Sequence, residues 1–425
     1  MPDITFIIMT SEQRREARYK RRQAKRLAKR KALLEKCTFE KVISRSSLSK
    51  AADQAARGVR YKASVKRFLL RKPANISIIH HKLKNGQDVR KGFVCFKVVE
   101  RGKLRKIMSV HFSERVPQKS LNQNALVPVL TRPLIYDNGA SRAGMGTSHA
   151  MKRLKIHLRR HFKRHGRNGY VLQIDFKDYF ANIDHEIAKG IVSKAFDDER
   201  IVSLTNGFID AYYIHNYKMA KKSGDDPSKV EHKGLGLGSE INQTLAISVP
   251  SPLDHFIKEV LGIKAYARYN DDSYLIHESK DYLKYCLKRI KEVCARLKIT
   301  VNDKKTKIVS LTRCFTFLKC RTSITDSGKV LMRPCRKAIT RQRHKMRKQK
   351  GLLDAGILTL EDVAISYTSC RGYMSQKNAR RTIHNLDILY FDLFGQRVGV
   401  KKGANYDGRK DHGNSGGDQC FRAAA

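Results

Sequence analysis

The chain has 425 residues and carries 88 Lys and Arg against 39 Asp and Glu, a net charge of +49. This length is enough for two or three subdomains with a real core, and this charge points to a polyanionic partner, with nucleic acid as the first candidate. No apolar run approaches the roughly 18 residues of a membrane-spanning helix, so we expect a cytoplasmic protein without a membrane partner.

The nine cysteines favour neither a zinc site nor a disulfide framework. They are scattered, odd in number and never spaced as C-x-x-C. Clustered spacing is the usual signature of both kinds of site. We therefore expect the cysteines to be free thiols that are buried or have no functional role.

The first 88 residues are predicted to form a basic, helical extension. Between residues 14 and 31, eleven of eighteen residues are Lys or Arg, and Ala and Leu interleave at loosely helical spacing. A basic helix that lies along phosphates fits this pattern best. A disordered arm and a merely solvated face stay open as alternatives.

Two runs of β-forming residues at 92–100 and 103–112 are separated by Arg101 and Gly102, which predicts a β-hairpin. Lys103 and Arg105 on this hairpin could hold a triphosphate, although basic hairpins are common. A Gly-rich loop follows at 135–147, and residues 149–164 read as a basic helix.

An acidic residue, Asp175, ends an apolar strand pattern at residues 169–174. A carboxylate in such a place is costly unless it is paired or bound to a metal. Asp175 is therefore a candidate metal ligand. Asp184 is expected to cap a helix that begins near His185, and Asp178 to be a surface residue.

A glycine-rich segment at 233–240 feeds a predicted helix. Its G-x-G-x-G spacing and its surroundings do not fit a dinucleotide-binding fingerprint. A flexible loop of this kind could pass under a base pair and place Ser239, Asn242 or Gln243 near it.

Residues 265–277 alternate from apolar to an Asn-Asp-Asp step and back, which predicts a hairpin with the polar residues at its turn. A turn lets Asp271 and Asp272 crowd toward one place, where a divalent cation would relieve their repulsion. Asn270 suits the tight turn.

Beyond the hairpin, Ser279 is expected to cap an amphipathic helix. Residues 299–308 are predicted to form a strand and turn with a lysine cluster.

Taken together and in order, these blocks resemble the motifs of prokaryotic reverse transcriptases. The resemblance runs from about residue 90 to 320 and continues more loosely through the thumb. It rests on the following blocks: the fingers segments 103–107 and 114–118, the first palm motif 174–180 with 183–185, the Gly-rich motif 234–243, the Tyr-Asn-Asp-Asp hairpin 269–272, the Asn-Asp-Lys-Lys-Thr motif 302–306 and the primer-grip segment 317–319.

The resemblance implies an α+β fold, a right-hand polymerase with fingers, a palm built on an antiparallel sheet with packed helices, and a helical thumb. The predicted divisions are a basic helical extension at 1–88, fingers at 89–165, palm at 166–325, thumb at 326–400 and a disordered tail at 401–425. We expect no RNase H or endonuclease domain after the thumb.

The resemblance also implies the chemistry of the site. Asp175 and Asp271 would bridge two Mg²⁺ ions, with Asp272 in a supporting place. General chemistry agrees, because paired divalent ions activate an attacking oxygen and steady a leaving group, and Mg²⁺ takes few carboxylates together with water and phosphate oxygens.

The remaining site residues would handle the nucleotide. Phe180 would sit against the sugar and exclude a 2′-hydroxyl by a clash. The triphosphate would be clamped by Arg105, with Lys103, Arg115 and Lys305 less surely placed, and a solvated surface lysine is an equal reading of Lys305. In the Gly-rich motif, Gly238 and Gln243 are the candidate nucleotide contacts.

Two positions depart from the family pattern. Gly236 stands where relatives usually have Pro, which should loosen the loop under the templating base. Asn270 stands where they usually have Ala, Val or Met, beside the primer end and the nucleotide sugar. Both changes bear on fidelity and base preference and leave the metal ligands intact.

The implied function is RNA-directed DNA synthesis from dNTPs, with a cDNA product, on a dedicated structured noncoding RNA template, in antiphage defence. Diversity-generating and retron-type enzymes are the alternatives within the family. A non-catalytic, maturase-like RNA-binding protein is the alternative of another class, and synthesis primed by a protein hydroxyl also stays open. The oligomeric state cannot be read from the sequence.

Overall fold

The structure, a computed structural model, describes residues 10–100, 103–236 and 238–397. The chain divides into two compact units: unit 1 holds residues 1–318 and 322–330, and unit 2 holds 319–321 and 331–425. The predicted tail at 401–425 lies outside the described residues. Within the described ranges, no helix is both long and apolar enough to cross a membrane.

The amino-terminal region is helical, as the sequence predicts. Thr10 begins the first helix with a capping box, in which its side chain and that of Gln13 each accept a hydrogen bond from the other's backbone N–H. This first helix has no buried residue, whereas the later ones bury apolar faces in the core of unit 1. The helices are α1 Ser11–Leu34, α2 Phe39–Ile43, α3 Arg45–Ala55, α4 Ala63–Leu70 and α5 Lys72–Lys84.

The predicted hairpin at 92–112 is confirmed, except that its second strand ends at Val110 because Phe112 already begins a helix. The two strands pair antiparallel with Phe93 opposite Val110. The elements are β1 Phe93–Glu100, β2 Lys103–Val110, α6 Phe112–Leu121, α7 Val127–Leu130 and α8 Thr147–His165, with a π-helical turn at Asn122–Leu126 before α7.

An antiparallel sheet in the strand order β4-β5-β3-β6 forms the centre of unit 1. Its strands are short and apolar, and helices that surround it fill the core. The elements are β3 Tyr170–Ile174, α9 Tyr179–Asn182, α10 His185–Ala195, α11 Glu199–Ser223, α12 Glu240–Ser248, α13 Ser251–His255, β4 Tyr266–Tyr269, β5 Asp272–His277, α14 Lys280–Arg296 and β6 Lys307–Ser310.

Several local predictions for this region are confirmed. Asp184 caps α10 by accepting from the N–H groups of Glu186 and Ile187, and Ser279 caps α14. The predicted strand and turn at 299–308 is confirmed in part: the backbone turns after Asn302, but the strand β6 starts only at Lys307. The predicted α+β class, with antiparallel ladders between the paired strands, is confirmed.

The remaining elements are short strands followed by helices, and the basic segment after Pro334 is helical as predicted. In unit 2, Tyr367 and Tyr390 stack with ring centroids 4.8 Å apart inside an apolar core that also holds Met346 and Leu386. The elements are β7 Phe315–Phe317, β8 Cys320–Ile324, β9 Val330–Pro334, α15 Arg336–Asp354, α16 Leu360–Ser375 and α17 Arg380–Phe394.

Candidate active site

The acidic corner of the sheet is set by strand register. Ile174, the last residue of β3, lies opposite Ser273 of β5, and Tyr269 of β4 pairs with Asp272 across the hairpin. Asp175 follows Ile174, and Asp272 precedes Ser273 on the antiparallel strand. The register therefore carries Asp175 alongside the turn that holds Asp271 and Asp272.

The hairpin turn is as tight as the sequence predicts. Asn270 and Asp271 are its two central residues, and Asn270 has a φ of 54°. A positive φ at the first central residue is the feature of the primed turns that suit the twist of β-hairpins. Asn tolerates this conformation better than most residues, which is a physical reason for Asn at this position.

Lys305 contacts the Asp175 carboxylate. Its Nζ lies 2.9 Å from Oδ2 and 3.1 Å from Oδ1 of Asp175. The pKa of Lys305 is raised by its hydrogen bond to Asp175 and further by the negative charges of Asp175, Asp271 and Asp272, although desolvation opposes the shift. The Lys305 ammonium thus contacts Asp175 and also lies within the electrostatic influence of Asp271 and Asp272.

Asp175 is held by the turn that begins at Asn302. The Asn302 side chain donates to Asp175 Oδ2 at 3.0 Å, and the Asn302 backbone N–H donates to the Asp175 carbonyl at 2.8 Å. The Asp175 side chain is only 13% exposed. Sequence reasoning gave Asn302 no role of its own, although it lies in the Asn-Asp-Lys-Lys-Thr block.

A buried ion pair contacts the hairpin turn through Arg268. The Arg268 side chain is fully buried and makes a bidentate contact with Asp254, at 2.8 and 2.7 Å. It also donates to the carbonyls of Asn270 at 3.1 Å and Ile247 at 2.9 Å. Tyr266 donates its hydroxyl to Asp254 at 2.6 Å. The guanidinium therefore links the acidic turn to the end of α12.

Burial disfavours the charged guanidinium, but the Asp254 carboxylate outweighs that effect and raises the pKa of Arg268 above its usual value. Sequence reasoning missed this pair. The sequence did contain one indication of this pair: Arg268 is a single cation within an apolar strand. A buried cation of this kind needs a partner. Asp254 gave no comparable signal, because it lies on a different element.

The Gly-rich loop runs beside the segment that follows Asp175. Leu235 and Gly234 donate their backbone N–H groups to the carbonyls of Phe180 and Ile183, each at 2.8 Å. The Phe180 side chain is half-buried and lies edge-on to Tyr179, with ring centroids 5.8 Å apart. The predicted sugar-facing residue and the predicted loop are thus neighbours.

At two positions of this loop, neighbouring atoms leave no room for a side chain larger than that of glycine. Gly234 has a φ of 91°, and a Cβ there would lie 2.6 Å from Tyr212. Gly238 has a φ of 126°, and a Cβ there would lie 2.9 Å from the carbonyl oxygen of Met108 on β2. Gly238 therefore brings the loop against the backbone of the β1–β2 hairpin, where only glycine fits.

Three predicted nucleotide contacts line one cavity of about 320 Å³: Arg115, Gly238 and Gln243. The side chains of Lys103 and Arg105 lie outside the described residues. Lys305 contacts Asp175 instead of standing alone in solvent, although its side chain is 63% exposed.

The prediction that Ser239 or Asn242 approaches a base pair is not supported, because both side chains are buried and used internally. Ser239 donates to Gln118 at 2.7 Å, and Asn242 donates to the Gly236 carbonyl at 2.8 Å. Gln118 in turn donates to Glu114, which also accepts from the Lys91 N–H. Burial raises the pKa of Glu114. This chain of hydrogen bonds fixes the loop to α6.

Comparison with known proteins gives a family match. A family model described as reverse transcriptase (RNA-dependent DNA polymerase) matches residues 96–324, more than half of the chain. No curated protein sequence matches. Among solved structures, the chain is similar to telomerase from Candida albicans in complex with a TWJ fragment of telomeric RNA.

That similarity has a TM-score of 0.42 and 12% sequence identity, and it covers 70% of this chain and 54% of the telomerase chain. The chain therefore spans about half the length of that neighbour. The matched residues include most of the β1–β2 hairpin, the Gly-rich loop, the acidic corner and the turn that holds Asp175. On that match, the chain belongs to the reverse transcriptase (RNA-dependent DNA polymerase) family.

Proposed function

We propose that this protein is an RNA-directed DNA polymerase that extends a primer by two-metal phosphoryl transfer. The observation that carries the proposal is the strand register that brings Asp175 alongside the turn of Asp271 and Asp272. Acids from two separate parts of the chain thus lie at one edge of the sheet, and the glycine loop lines a cavity of about 320 Å³.

The residues present fit a pair of Mg²⁺ ions. Carboxylate oxygens are the ligands that Mg²⁺ prefers, and the site already attracts a positive group, the ammonium of Lys305. Asp175 and Asp271 would hold the ions, with Asp272 in support. When bound, the ions favour the ionised 3′-oxygen and neutralise the charge of the pyrophosphate that leaves.

The reaction forms a bond between the primer 3′-oxygen and the α-phosphorus of a dNTP. The bond from that phosphorus to the β-phosphate oxygen breaks, pyrophosphate leaves, and the hydroxyl proton passes to water. Arg115, with Lys103 and Arg105, would bind the triphosphate oxygens. Phe180 would press on the sugar and reject a 2′-hydroxyl, while Gly238 and Gln243 would lie along the nucleotide.

The test of this proposal is primer extension by the double variant D271A/D272A on an RNA template with Mg²⁺ and dNTPs. Extension should be lost while RNA binding stays as in the unchanged protein. Asp178→Ala is the matched control, because Asp178 is an exposed acid three residues from Asp175, and it should leave extension unchanged. Normal extension by the double variant would contradict the proposal. A protein that never extends any template, yet keeps its biological effect without the acids, would instead be a maturase-like RNA binder.

We also propose a permanent structured RNA partner that serves as template. The support is charge: α1 carries the eleven cations at 14–31 and has no buried residue, and α15 is densely basic. Both suit phosphate-rich surfaces. DNA synthesis would take place in the cytoplasm and would serve antiphage defence. Diversity-generating and retron-type roles are the alternatives.

Sequencing the RNA and DNA that co-purify with the protein tests this second proposal. One abundant, structured RNA together with complementary DNA is the expected result. A random sample of cellular RNA would contradict a dedicated template. Nuclease treatment followed by detection of DNA linked to protein would show whether a protein hydroxyl primes synthesis.

A further inference from the structure

His185, Asp210 and His232 form a second polar cluster, separate from the three carboxylates of the acidic corner. Each can offer one ligand atom, and these atoms all lie within 4.8 Å of one another. The three residues come from the start of α10, the middle of α11 and the segment just before Gly234. This placement makes the cluster a meeting point of three elements.

His185 has a nitrogen that its surroundings do not satisfy. The side chain is 1% exposed, and its Nε2 lies 2.8 Å from the Gly234 carbonyl oxygen. Because a carbonyl only accepts, Nε2 must carry the proton, and the neutral ring then has a bare acceptor at Nδ1. Nδ1 is buried without a hydrogen-bond partner among the described residues.

The atom that faces this nitrogen is also an acceptor. Asp210 Oδ1 lies 3.5 Å from His185 Nδ1, and the Lys189 ammonium also contacts this oxygen, at 2.7 Å. Lys189 reaches only the carboxylate, so the bare nitrogen of His185 still faces an acceptor. A metal ion between the two atoms would bind both.

The donor set selects the metal. We propose that His185, Asp210 and His232 bind one Zn²⁺ ion, with water as a fourth ligand on the exposed side of His232. Two imidazoles and one carboxylate suit zinc. Mg²⁺ prefers oxygen ligands and would stay at the acidic corner.

A zinc ion at this site would cross-link the Gly-rich loop and the segment that follows Asp175. The His185 N–H already donates to the His232 carbonyl at 3.0 Å, and His232 stacks on Tyr213 with ring centroids 3.6 Å apart. The cluster is therefore largely preorganised. Its role would be structural, and it does not depend on the polymerase proposal.

Lys189 is the group that opposes the ion. Its ammonium contacts both oxygens of Asp210 at 2.7 Å, so zinc has to displace it from Oδ1. Its side chain is 31% exposed, which leaves it a path toward solvent. Removing this competitor should tighten zinc binding, whereas a simple surface ion pair would give no such effect.

The experiment titrates zinc into metal-free, RNA-free full-length protein against a chromophoric chelator, and measures the thermal unfolding midpoint with Zn²⁺ or Mg²⁺ present. The unchanged protein should bind one Zn²⁺ tightly, unfold at a higher temperature with Zn²⁺ but not with Mg²⁺, and show the visible bands of tetrahedral cobalt when loaded with Co²⁺.

His232→Phe keeps a ring against Tyr213 and removes the ligand. It should bind zinc at least about 100-fold more weakly, since loss of even an outer partner of a ligand costs about 10- to 100-fold. Asp210→Asn should behave alike, and Lys189→Gln should bind more tightly than the unchanged protein. His344→Phe, at an exposed histidine of α15, is the matched control and should change nothing.

Three results would overturn the proposal. They are the absence of stoichiometric zinc in the unchanged protein, equal zinc affinity in His232→Phe, and nitrogen NMR showing His185 protonated at both ring nitrogens with zinc present. Because none of these readouts involves DNA synthesis, a failed polymerase assay leaves the zinc result independent.

Discussion

At the scale of single residues, Gly234 shows how backbone and space together restrict the chain. Ala at this position would adopt a φ of 91° and press its Cβ to 2.6 Å from Tyr212 and 2.9 Å from the Ala181 carbonyl. We expect Gly234→Ala to lower the free energy of unfolding by about 1–3 kcal/mol. Urea denaturation measures the change.

Gly190 provides the matched control. It lies inside α10, and a Cβ there would meet nothing within 4 Å. Gly190→Ala should therefore stabilise the protein by about 0.5–1 kcal/mol through helix propensity. A neutral or stabilising effect of Gly234→Ala would show that the loop does not adopt this conformation.

Phe180 carries the residue-scale prediction for specificity. If its ring excludes a 2′-hydroxyl, Phe180→Ala should raise the ratio of ribonucleotide to deoxyribonucleotide incorporation by roughly 10- to 100-fold, the range that shape alone supplies in a pocket. Steady-state kcat/KM for each nucleotide measures it. Incorporation of dNTPs serves as the internal control, and an unchanged ratio would remove Phe180 from the sugar site.

At the scale of elements, the Arg268–Asp254 pair joins β4 to α13, and Arg268 also donates to carbonyls of α12 and the acidic turn. Breaking a buried pair on one side costs about 3–5 kcal/mol, because it leaves an uncompensated charge. Arg268→Met should therefore destabilise strongly, and Arg268→Met with Asp254→Leu should cost clearly less than the sum of the two single changes. Urea unfolding of the four proteins measures the coupling, and additive effects would contradict a direct partnership.

The start of α11 supplies the pH prediction. Asp198 caps this helix through the Arg200 N–H, and its carboxylate also binds the Arg200 side chain at 3.0 and 2.9 Å. The Arg200 hydrogen bonds lower the pKa of Asp198, although desolvation opposes them. A lowered folded-state pKa means that the stabilisation is present above the ordinary value, near 4, and is lost as the pH falls through the folded-state value.

Asp198→Asn keeps a capping side chain and removes the titrating group. Its stability should fall less than that of the unchanged protein between pH 5 and the acid limit of folding, as followed by urea unfolding at several pH values. Identical pH profiles would show that the Arg200 contact adds nothing.

Residue patterns predicted the elements better than the contacts between them. The hairpin at 265–277 and the cap at Asp184 follow from local chemistry, and the structure has both. The nearness of Asp175 to the turn depends on β3 lying beside β5, which no local pattern encodes. The prediction for Ser239 failed for the same reason, because its polar partner, Gln118, is 121 residues away in the chain.

At the scale of the whole molecule, a net charge of +49 should make RNA binding steeply dependent on salt. Replacing Arg21, Arg22 and Lys25 of α1 with Gln should reduce the slope of log Kd against log salt by about 1 for each phosphate that these cations no longer neutralise. The control is the same change at Lys280, Lys284 and Lys288, which are exposed on α14. Equal slopes for both variants would assign no special role to α1.

The most direct measurement is the anomalous diffraction of crystals grown with an RNA template, a DNA primer, a non-hydrolysable dNTP analogue and Mn²⁺ in place of Mg²⁺. Anomalous peaks within coordination distance of the Asp175 and Asp271 carboxylates, with Lys305 turned away from Asp175, are the predicted result. An ordered primer end and nucleotide without metal density at these carboxylates, or with the metal elsewhere, would contradict it.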